Sequence, residues 1–432
     1  MTAHPEAPAR STPGVARGRS PLPPWLNRDL RLLVAGRGLR SISQSYLAVI
    51  VPLYLAHMGY SAVRIGVFFT FGAVGSMALT AAVGVLSDRF GRKPLLVLLG
   101  LLTAMCGLVF VATQSFPVLL IAAAMGTIGR GGGAGSGGAF GPYAPAEQAL
   151  IAEHAGNRHR TNAFGIVSVV GVLSAALGSL LATTPTLLHR VFGMSDLTAE
   201  RGLFLLTAVL GTAMAMVVLP VSEAKRPVHK TGTRRRLTTR TKHVLVRFLV
   251  TNATNGLAVG MLGPILVYWF HVRYGATSGE LGTLFFIANI ASAPSNLASA
   301  RVARRLGAVR AIVTARLTSV VLLAGMAVMP SFLWAAVFFL LRTQANTLSN
   351  PIRQSFLMGV VDEADRSTAA GLSNLPLQAF SSVGPTVAGQ IMQVAWVSLP
   401  LELAAVLQGV NAALYFIFFR NIVPPEEQSS AS

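Results

Sequence analysis

The chain has 432 residues, of which 53% are hydrophobic and only 12% are charged. Soluble domains carry roughly 25% charged residues, so a water-soluble globular protein is excluded. The net charge of +20 does not indicate a nucleic-acid partner. The basic residues concentrate in alternate loops and in the tails, which is the positive-inside pattern of membrane proteins.

Apolar stretches long enough to cross a bilayer follow one another along the chain. The expected spans are 30–57, 62–86, 92–113, 117–141, 161–188, 201–222, 244–271, 279–299, 309–330, 332–350, 367–396 and 400–420. The expected segments are a disordered cytoplasmic N-terminal tail (1–29), an N-terminal six-helix bundle (30–222), a basic cytoplasmic linker (223–243), a C-terminal six-helix bundle (244–420) and a cytoplasmic C-terminal tail (421–432). The sequence therefore predicts an all-α membrane protein with about twelve transmembrane helices in two pseudo-symmetric bundles.

A short charged turn, residues 84–93, separates the second and third spans and reads G-V-L-S-D-R-F-G-R-K. Gly84 is expected to let two helices approach closely, and Gly91 to adopt a backbone conformation that other residues resist. Asp88 is the one carboxylate in the turn. The cations that hold the turn on the positive side of a membrane are Arg89, Arg92 and Lys93.

This turn resembles the loop between the second and third helices of the major facilitator superfamily, where the common pattern is G-x-L-a-D-R-x-G-R-K. The resemblance implies two six-helix bundles that move a small molecule by alternating access. It also implies that Asp88 latches the cytoplasmic face by engaging a helix of the second half. Glu153 and Arg160 resemble the E-x6-R element of sugar porters in this superfamily, the alternative being a solvated loop pair.

Gly384 and Pro385 in the eleventh span resemble the G-P-x-x-G-G element of drug–proton antiporters. Those families carry the element in the fifth span, where this chain has Gly178 and no proline. A proline kink at which helices bend is the alternative interpretation. Both interpretations make Gly384 and Pro385 conformational residues.

The two halves look like copies of one sequence. Pro145 and Gln148 recur 206 positions later as Pro351 and Gln354, whereas the glycine of the charged turn recurs 216 positions later as Gly307. The first half therefore has a ten-residue insertion between these anchors, and the glycine-rich segment 129–141 is its expected place. That segment is either a bent fourth helix or a flexible lengthening of its cytoplasmic end.

Ionisable groups inside a membrane are costly and are usually functional. Arg37 and Arg40 share one face of the first span, and at an offset of 215 the seventh span presents Asn252 and Asn255. A second related pair of intramembrane cations consists of Arg130 and Arg342. An arginine-lined cavity favours an anionic or neutral polar substrate. The alternatives are snorkelling of Arg37 and Arg40 to the headgroups and a structural hydrogen bond of Arg130.

None of the fifteen acidic residues is expected at the middle of a span. Glu147, Glu280 and Glu402 come closest, each near a span end. The candidates for proton coupling are therefore Glu147 and the histidines His57 and His271, whose side chains titrate in the useful range. No cofactor is expected, and a gradient of protons or another ion would drive the protein.

The predicted function is secondary transport of a small molecule across the cytoplasmic membrane, with efflux as the first hypothesis and import of a small organic anion as the alternative. A non-transporting membrane sensor or an intramembrane enzyme would be a different class. No metal-ligand spacing such as H-E-x-x-H occurs in the sequence, and the longest loop is too short for a sensor domain. The expected protein is a monomer with both termini cytoplasmic, whose partners are its substrate and the lipid bilayer.

Overall fold

The computed structural model describes residues 25–125, 141–223, 238–361 and 366–421. Within these ranges the chain is helical apart from short connections, and no strand occurs. The helices are α1 (Arg28–His57), α2 (Ala62–Phe90), α3 (Arg92–Ala112), α4 (Phe116–Ala124), α5 (Ala144–Leu181), α6 (Thr184–Phe192), α7 (Asp196–Val218), α8 (Thr239–Tyr274), α9 (Ser278–Leu306), α10 (Ala308–Val328), α11 (Phe332–Val360), α12 (Arg366–Val394) and α13 (Leu399–Phe419). In the described part of the chain, nine helices are long and apolar enough to cross a membrane. The predicted all-α membrane architecture is confirmed.

Several helices begin at residues whose side chains cap the free backbone N–H groups of the first turn. Thr277 and Glu280 form a reciprocal capping box at the start of α9. Ser195 caps α7, which therefore begins at Asp196, ahead of the expected residue 201. This earlier start places Glu200 inside the helix.

Helix α5 contains the turn between the fourth and fifth predicted spans: two helical segments meet at a kink at Gly156, whose backbone is not helical (φ 64°, ψ 173°). Most of the two predicted tails and of the basic linker lies outside the described residues, as does the glycine-rich segment apart from Gly141. The bounds of the five predicted segments stay predictions.

The repeat seen in the sequence corresponds to equivalent backbone geometry in the two halves, α1–α7 and α8–α13. Gly91 (φ 88°, ψ 162°) joins α2 to α3, and Gly307 (φ 79°, ψ 151°) joins α9 to α10. A side chain at Gly178 would overlap the backbone of α1 at Ile42, and one at Gly384 would overlap the backbone of α8. The paired glycines thus make the same close helix contact in each half.

We call the side of the molecule with Gly91 and Gly307 the basic face, and the opposite side, where α1 ends at His57, the far face. Two apolar clusters near the basic face each belong to one half: one includes Leu96, the other Ile312. A third cluster contains residues of both halves, among them Tyr54, Phe68, Trp269 and Phe285. Apolar packing therefore joins the halves toward the far face.

Candidate functional site

The halves meet along α2 and α12 toward the far face. The hydroxyl oxygens of Thr70 and Thr386 lie 2.7 Å apart. One turn away, a side chain at Gly66 would overlap the carbonyl group of Pro385. The Gly384–Pro385 pair therefore touches both its own half, through α8, and the first half, through α2.

A second contact joins α5 and α6 to α9. The Asn289 amide donates to the Ser179 hydroxyl over 3.1 Å. The hydroxyl groups of Thr186 and Ser278 lie 2.9 Å apart. This contact consists of small polar side chains, so separating the halves here requires the exchange of a few neutral hydrogen bonds, each contributing about 0.5–1.5 kcal/mol.

A histidine pair and a carboxylate complete the far face. The Glu200 carboxylate lies 3.0 Å from Nδ1 of His57, and the Glu200 side chain is fully buried. The ring of His57 packs edge-on against that of His271 in α8, with ring centres 5.3 Å apart. His271 also contacts the Ala276 carbonyl through Nδ1. The structure thus brings both predicted histidines together across the two halves, beside a buried acid.

Nearer the basic face, the first half contains a buried ion cluster between α1 and α5. The Glu147 carboxylate accepts from Arg37 over 3.2 Å and from Arg40 over 2.6 Å, and all three side chains are no more than 6% exposed. Arg40 also lies over the ring of Tyr143. The adjacent cavity of about 20 Å³ has room for a single water molecule. One contact therefore joins residues that were predicted in two roles. Arg37 and Arg40 were predicted to line a cavity, and Glu147, predicted to couple protons, offsets part of their charge.

The second half places Asn252 and Asn255 against two further arginines. Asn252 Oδ1 accepts from Arg353 over 2.5 Å, and Asn255 Oδ1 accepts from Arg316 over 3.0 Å. The polar pair predicted on α8 thus contacts cations. In the first half, the corresponding pair on α1 consists of cations that contact an acid.

The remaining predicted cation pair is described only in part. Arg342 is buried, at 8% exposure, and its Nε has no hydrogen-bond partner in the described part of the molecule. Arg130 lies outside the described residues. The predicted relation between the two positions stays a prediction.

The charged turn is held by carboxylates of its own half. The Glu223 carboxylate accepts from the backbone N–H groups of Arg92 and Lys93 at the start of α3, over 2.7 and 3.0 Å, where a helix terminus favours negative charge. Arg92 also donates from its side chain to Glu153 over 3.0 Å. Arg89 is exposed. The described contacts of the turn thus fix α3 within the first half.

Three expectations about this region have different outcomes. A side chain at Gly84 would meet no described atom within 4 Å, and the close helix approach expected there stays a prediction. The special backbone conformation expected at Gly91 is confirmed by its positive φ. Asp88 lies in α2, but its side chain is outside what the structure describes, so the latch stays a prediction.

The proposed Glu153–Arg160 element straddles the kink of α5. Glu153 lies before Gly156 and contacts Arg92, whereas Arg160 lies beyond the kink and is exposed. The role implied by the sugar-porter resemblance stays a prediction.

Four polar residues of these clusters are not among the sequence predictions: Glu200, Arg316 and Asn411 are buried, and Arg353 is partly buried. Glu200 lies one residue before the sixth expected span, although Ser195 is a recognisable helix cap that indicates an earlier start. Arg316 lies within the ninth expected span, and Arg353 follows the tenth. Asn411, which accepts from Arg316, lies between apolar residues of α13, and no sequence motif marks it as a site residue.

Comparison with known proteins decides the family. A sequence model described as the Major Facilitator Superfamily matches residues 33–385 and, separately, 248–432. The chain belongs to the major facilitator superfamily. The resemblance found in the charged turn is thereby confirmed, and the fold is that of the transporters in this superfamily.

Relatives within this superfamily are distant in sequence. An uncharacterised membrane protein of Saccharomyces cerevisiae is 25% identical over 84% of this chain and 88% of its own length. The multidrug resistance protein MdtG of Serratia proteamaculans is 26% identical over 67% of each chain, and that of Escherichia coli O81 is 25% identical over 78% of this chain and 81% of its own.

Solved structures of superfamily transporters share the fold. A variant of the nucleoside transporter NupG superposes with a TM-score of 0.73 at 13% identity, covering 91% of this chain and 100% of its own. The human organic anion transporter MFSD10 gives a TM-score of 0.59 at 18% identity, with coverage of 91% and 100%. Identities this low show the architecture alone.

Proposed function

We propose that this protein is a secondary active transporter that exports a small anionic or neutral polar molecule by alternating access. The observation that supports it best is the distribution of contacts between the halves. The shared apolar cluster and the contact between Thr70 and Thr386 lie toward the far face, whereas the clusters nearer the basic face belong to single halves. Such an arrangement is a transporter closed on one side, with substrate bound between the halves.

Sidedness follows from charge. Cytoplasmic loops of membrane proteins carry an excess of Lys and Arg, and the basic face holds the charged turn and the corresponding turn near Arg304. We therefore place the basic face and both termini in the cytoplasm, and the protein in the cytoplasmic membrane as a monomer. The conformation is then closed to the outside.

Export rests on two supports. The bacterial relatives carry the name multidrug resistance protein, and the charged turn and the Gly384–Pro385 element resemble those of exporters. Import of a small organic anion is the second candidate, favoured by arginines such as Arg342 that are buried without a described carboxylate partner. The two candidates share a fold and differ in the sign of transport.

We assign coupling to a proton gradient to His57, Glu200 and His271, which we call the far-face cluster. His57 and Glu200 form a contact between a titratable base and a buried acid, and His271 connects that contact to the second half. A proton gained or lost there would change the contact between the halves, as coupling requires.

The first experiment identifies a ligand and then the direction of its movement. The purified protein is screened for thermal stabilisation by anionic, neutral and cationic small molecules, where a ligand at a hundred times its dissociation constant adds about 2.7 kcal/mol. Uptake of that ligand is then measured in everted and right-side-out vesicles. Accumulation in everted vesicles supports export, and accumulation in right-side-out vesicles supports import. Stabilisation by lipophilic cations alone contradicts the proposed substrate class.

A further inference from the structure

The second half contains a cluster of two cations near the basic face, buried Arg316 and partly buried Arg353, formed by α8, α10, α11 and α13. Arg316 donates to the side-chain oxygens of Asn255 and Asn411, and Arg353 donates to Asn252. Asn411 is fully buried, and Arg316 is 8% exposed. The described hydrogen-bond acceptors of these two guanidinium groups are neutral amide oxygens.

The amide orientations in this cluster are fixed by their other hydrogen bonds. The Asn252 side-chain nitrogen donates to the Ser373 carbonyl over 2.6 Å, and that of Asn411 donates to the Thr251 carbonyl. Because each amide nitrogen is committed to a backbone carbonyl, each amide oxygen faces a guanidinium group. Neither amide is free to turn and serve another ligand.

Among the described residues, three polar atoms of the cluster have no hydrogen-bond partner: the Nε atoms of Arg316 and Arg353 and the hydroxyl of Tyr415. Tyr415 is 1% exposed and interacts electrostatically with both guanidinium groups. Buried donors left without an acceptor are costly, and most of all when they are charged. The two Nε–H groups can only donate and the Tyr415 hydroxyl can also donate, so an acceptor is the partner that suits all three.

The first half shows what such a partner does. There the carboxylate of Glu147 lies between Arg37 and Arg40. The repeat pairs Glu147 with Arg353 at the offset of 206. The described carboxylates of the second half, Glu280 and Glu402, cap or flank helices toward the far face. Within the described residues, the second cluster therefore carries a net positive charge, and no described carboxylate contacts it.

We propose that Arg316, Arg353 and Tyr415 form a binding site for one small monovalent anion, which occupies in the second half the role that the Glu147 carboxylate has in the first. Chloride, bromide and formate have the required charge and size. Gluconate is a much larger monovalent anion and serves as the reference. The inference concerns ligand binding within one half and does not depend on the transported substrate or its direction.

The test is thermal unfolding of the purified full chain at constant ionic strength, with gluconate replaced stepwise by chloride, bromide or formate. The melting temperature should rise to saturation with each small anion. If the melting temperature rises with the halides alone, the ligand is an inorganic ion. If formate raises it at lower concentrations than the halides do, the preferred ligand is a carboxylate group. A melting temperature that is the same in gluconate and in all three small anions overturns the proposal.

Two variants locate the site. Tyr415→Phe removes one donor and keeps the ring that packs on Phe248. It should weaken the anion response by about tenfold, the usual effect of losing a hydrogen bond to a charged group. Arg316→Gln should abolish saturation. Tyr54→Phe is the matched control, because Tyr54 is equally buried but lies in the first half, and its titration should match wild type.

An unchanged titration in Tyr415→Phe would overturn the assignment even if Arg316→Gln fails to fold. Diffraction at the bromine absorption edge, from crystals grown in bromide, provides a direct second measurement. An anomalous peak between Arg316 and Tyr415 supports the site, and bromide peaks only elsewhere contradict it.

Discussion

Nη2 of Arg40 lies 2.6 Å from Oε2 of Glu147, and both side chains are almost completely buried inside the first half. The same carboxylate oxygen accepts from Arg37, so one acid neutralises part of the charge of two cations. A buried pair of this kind adds little net stability compared with apolar packing, but the loss of one partner is expensive because it leaves an uncompensated charge.

Glu147→Gln should therefore destabilise the protein by about 3–5 kcal/mol, because two buried guanidinium groups lose their counter-charge. Chemical unfolding of the purified variant in detergent measures the change. Glu402→Gln is the control, since the Glu402 carboxylate makes an exposed contact with Trp396 and its loss should cost far less. Equal stability of the two variants would show that the ion cluster does not hold α1 against α5.

The two glycines of the charged turn should respond differently to alanine. Gly91 has a φ of 88° and would place a side chain 3.0 Å from the Glu223 carboxylate, so Gly91→Ala should cost about 1–2 kcal/mol. Gly84→Ala should be neutral or stabilising by up to about 1 kcal/mol, because the position is helical and a side chain there would meet no described atom. Thermal unfolding compares the pair, and a larger loss at Gly84 would refute this view of the turn.

Removing the acid of the far-face cluster should abolish proton coupling but leave movement of substrate across the membrane intact. If His57 and Glu200 carry the coupled proton, Glu200→Gln should lose concentrative transport while retaining exchange of labelled for unlabelled substrate. His189→Gln is the control and should leave both activities intact, because His189 of the short helix α6 contacts only the Met194 carbonyl just beyond that helix among its described hydrogen bonds. Concentrative transport by Glu200→Gln at the wild-type level would exclude this cluster from coupling.

The sequence predicted the fold through two signals that depend on local chemistry. The turn around Gly91 required a positive φ and a concentration of cations, and the repeat between Gly178 and Gly384 required close backbone contact in each half. Both signals are visible without knowing the tertiary structure. Helix existence was predicted better than helix ends, which moved by several residues at α7 and α8.

The pairing of charges was not predictable in the same way. Arg37 and Arg40 were identified as buried, but their contact with Glu147 joins residues more than 100 positions apart. Glu147 was placed outside a span because the glycine-rich segment before it obscured the helix. The contact of Arg316 with Asn411 also joins distant helices, and neither residue signals its partner in sequence.

Alternating access is tested most directly by joining α2 to α12 on the far face. Thr70→Cys and Thr386→Cys are introduced together in a Cys106→Ser background, because the two hydroxyl oxygens lie 2.7 Å apart and Cys106 is the only native cysteine. Each single variant serves as a control, and transport is measured in vesicles before and after oxidation. The account predicts that the oxidised double variant falls to the background of empty vesicles and recovers on reduction. Cross-linked protein that transports at the wild-type rate would contradict it.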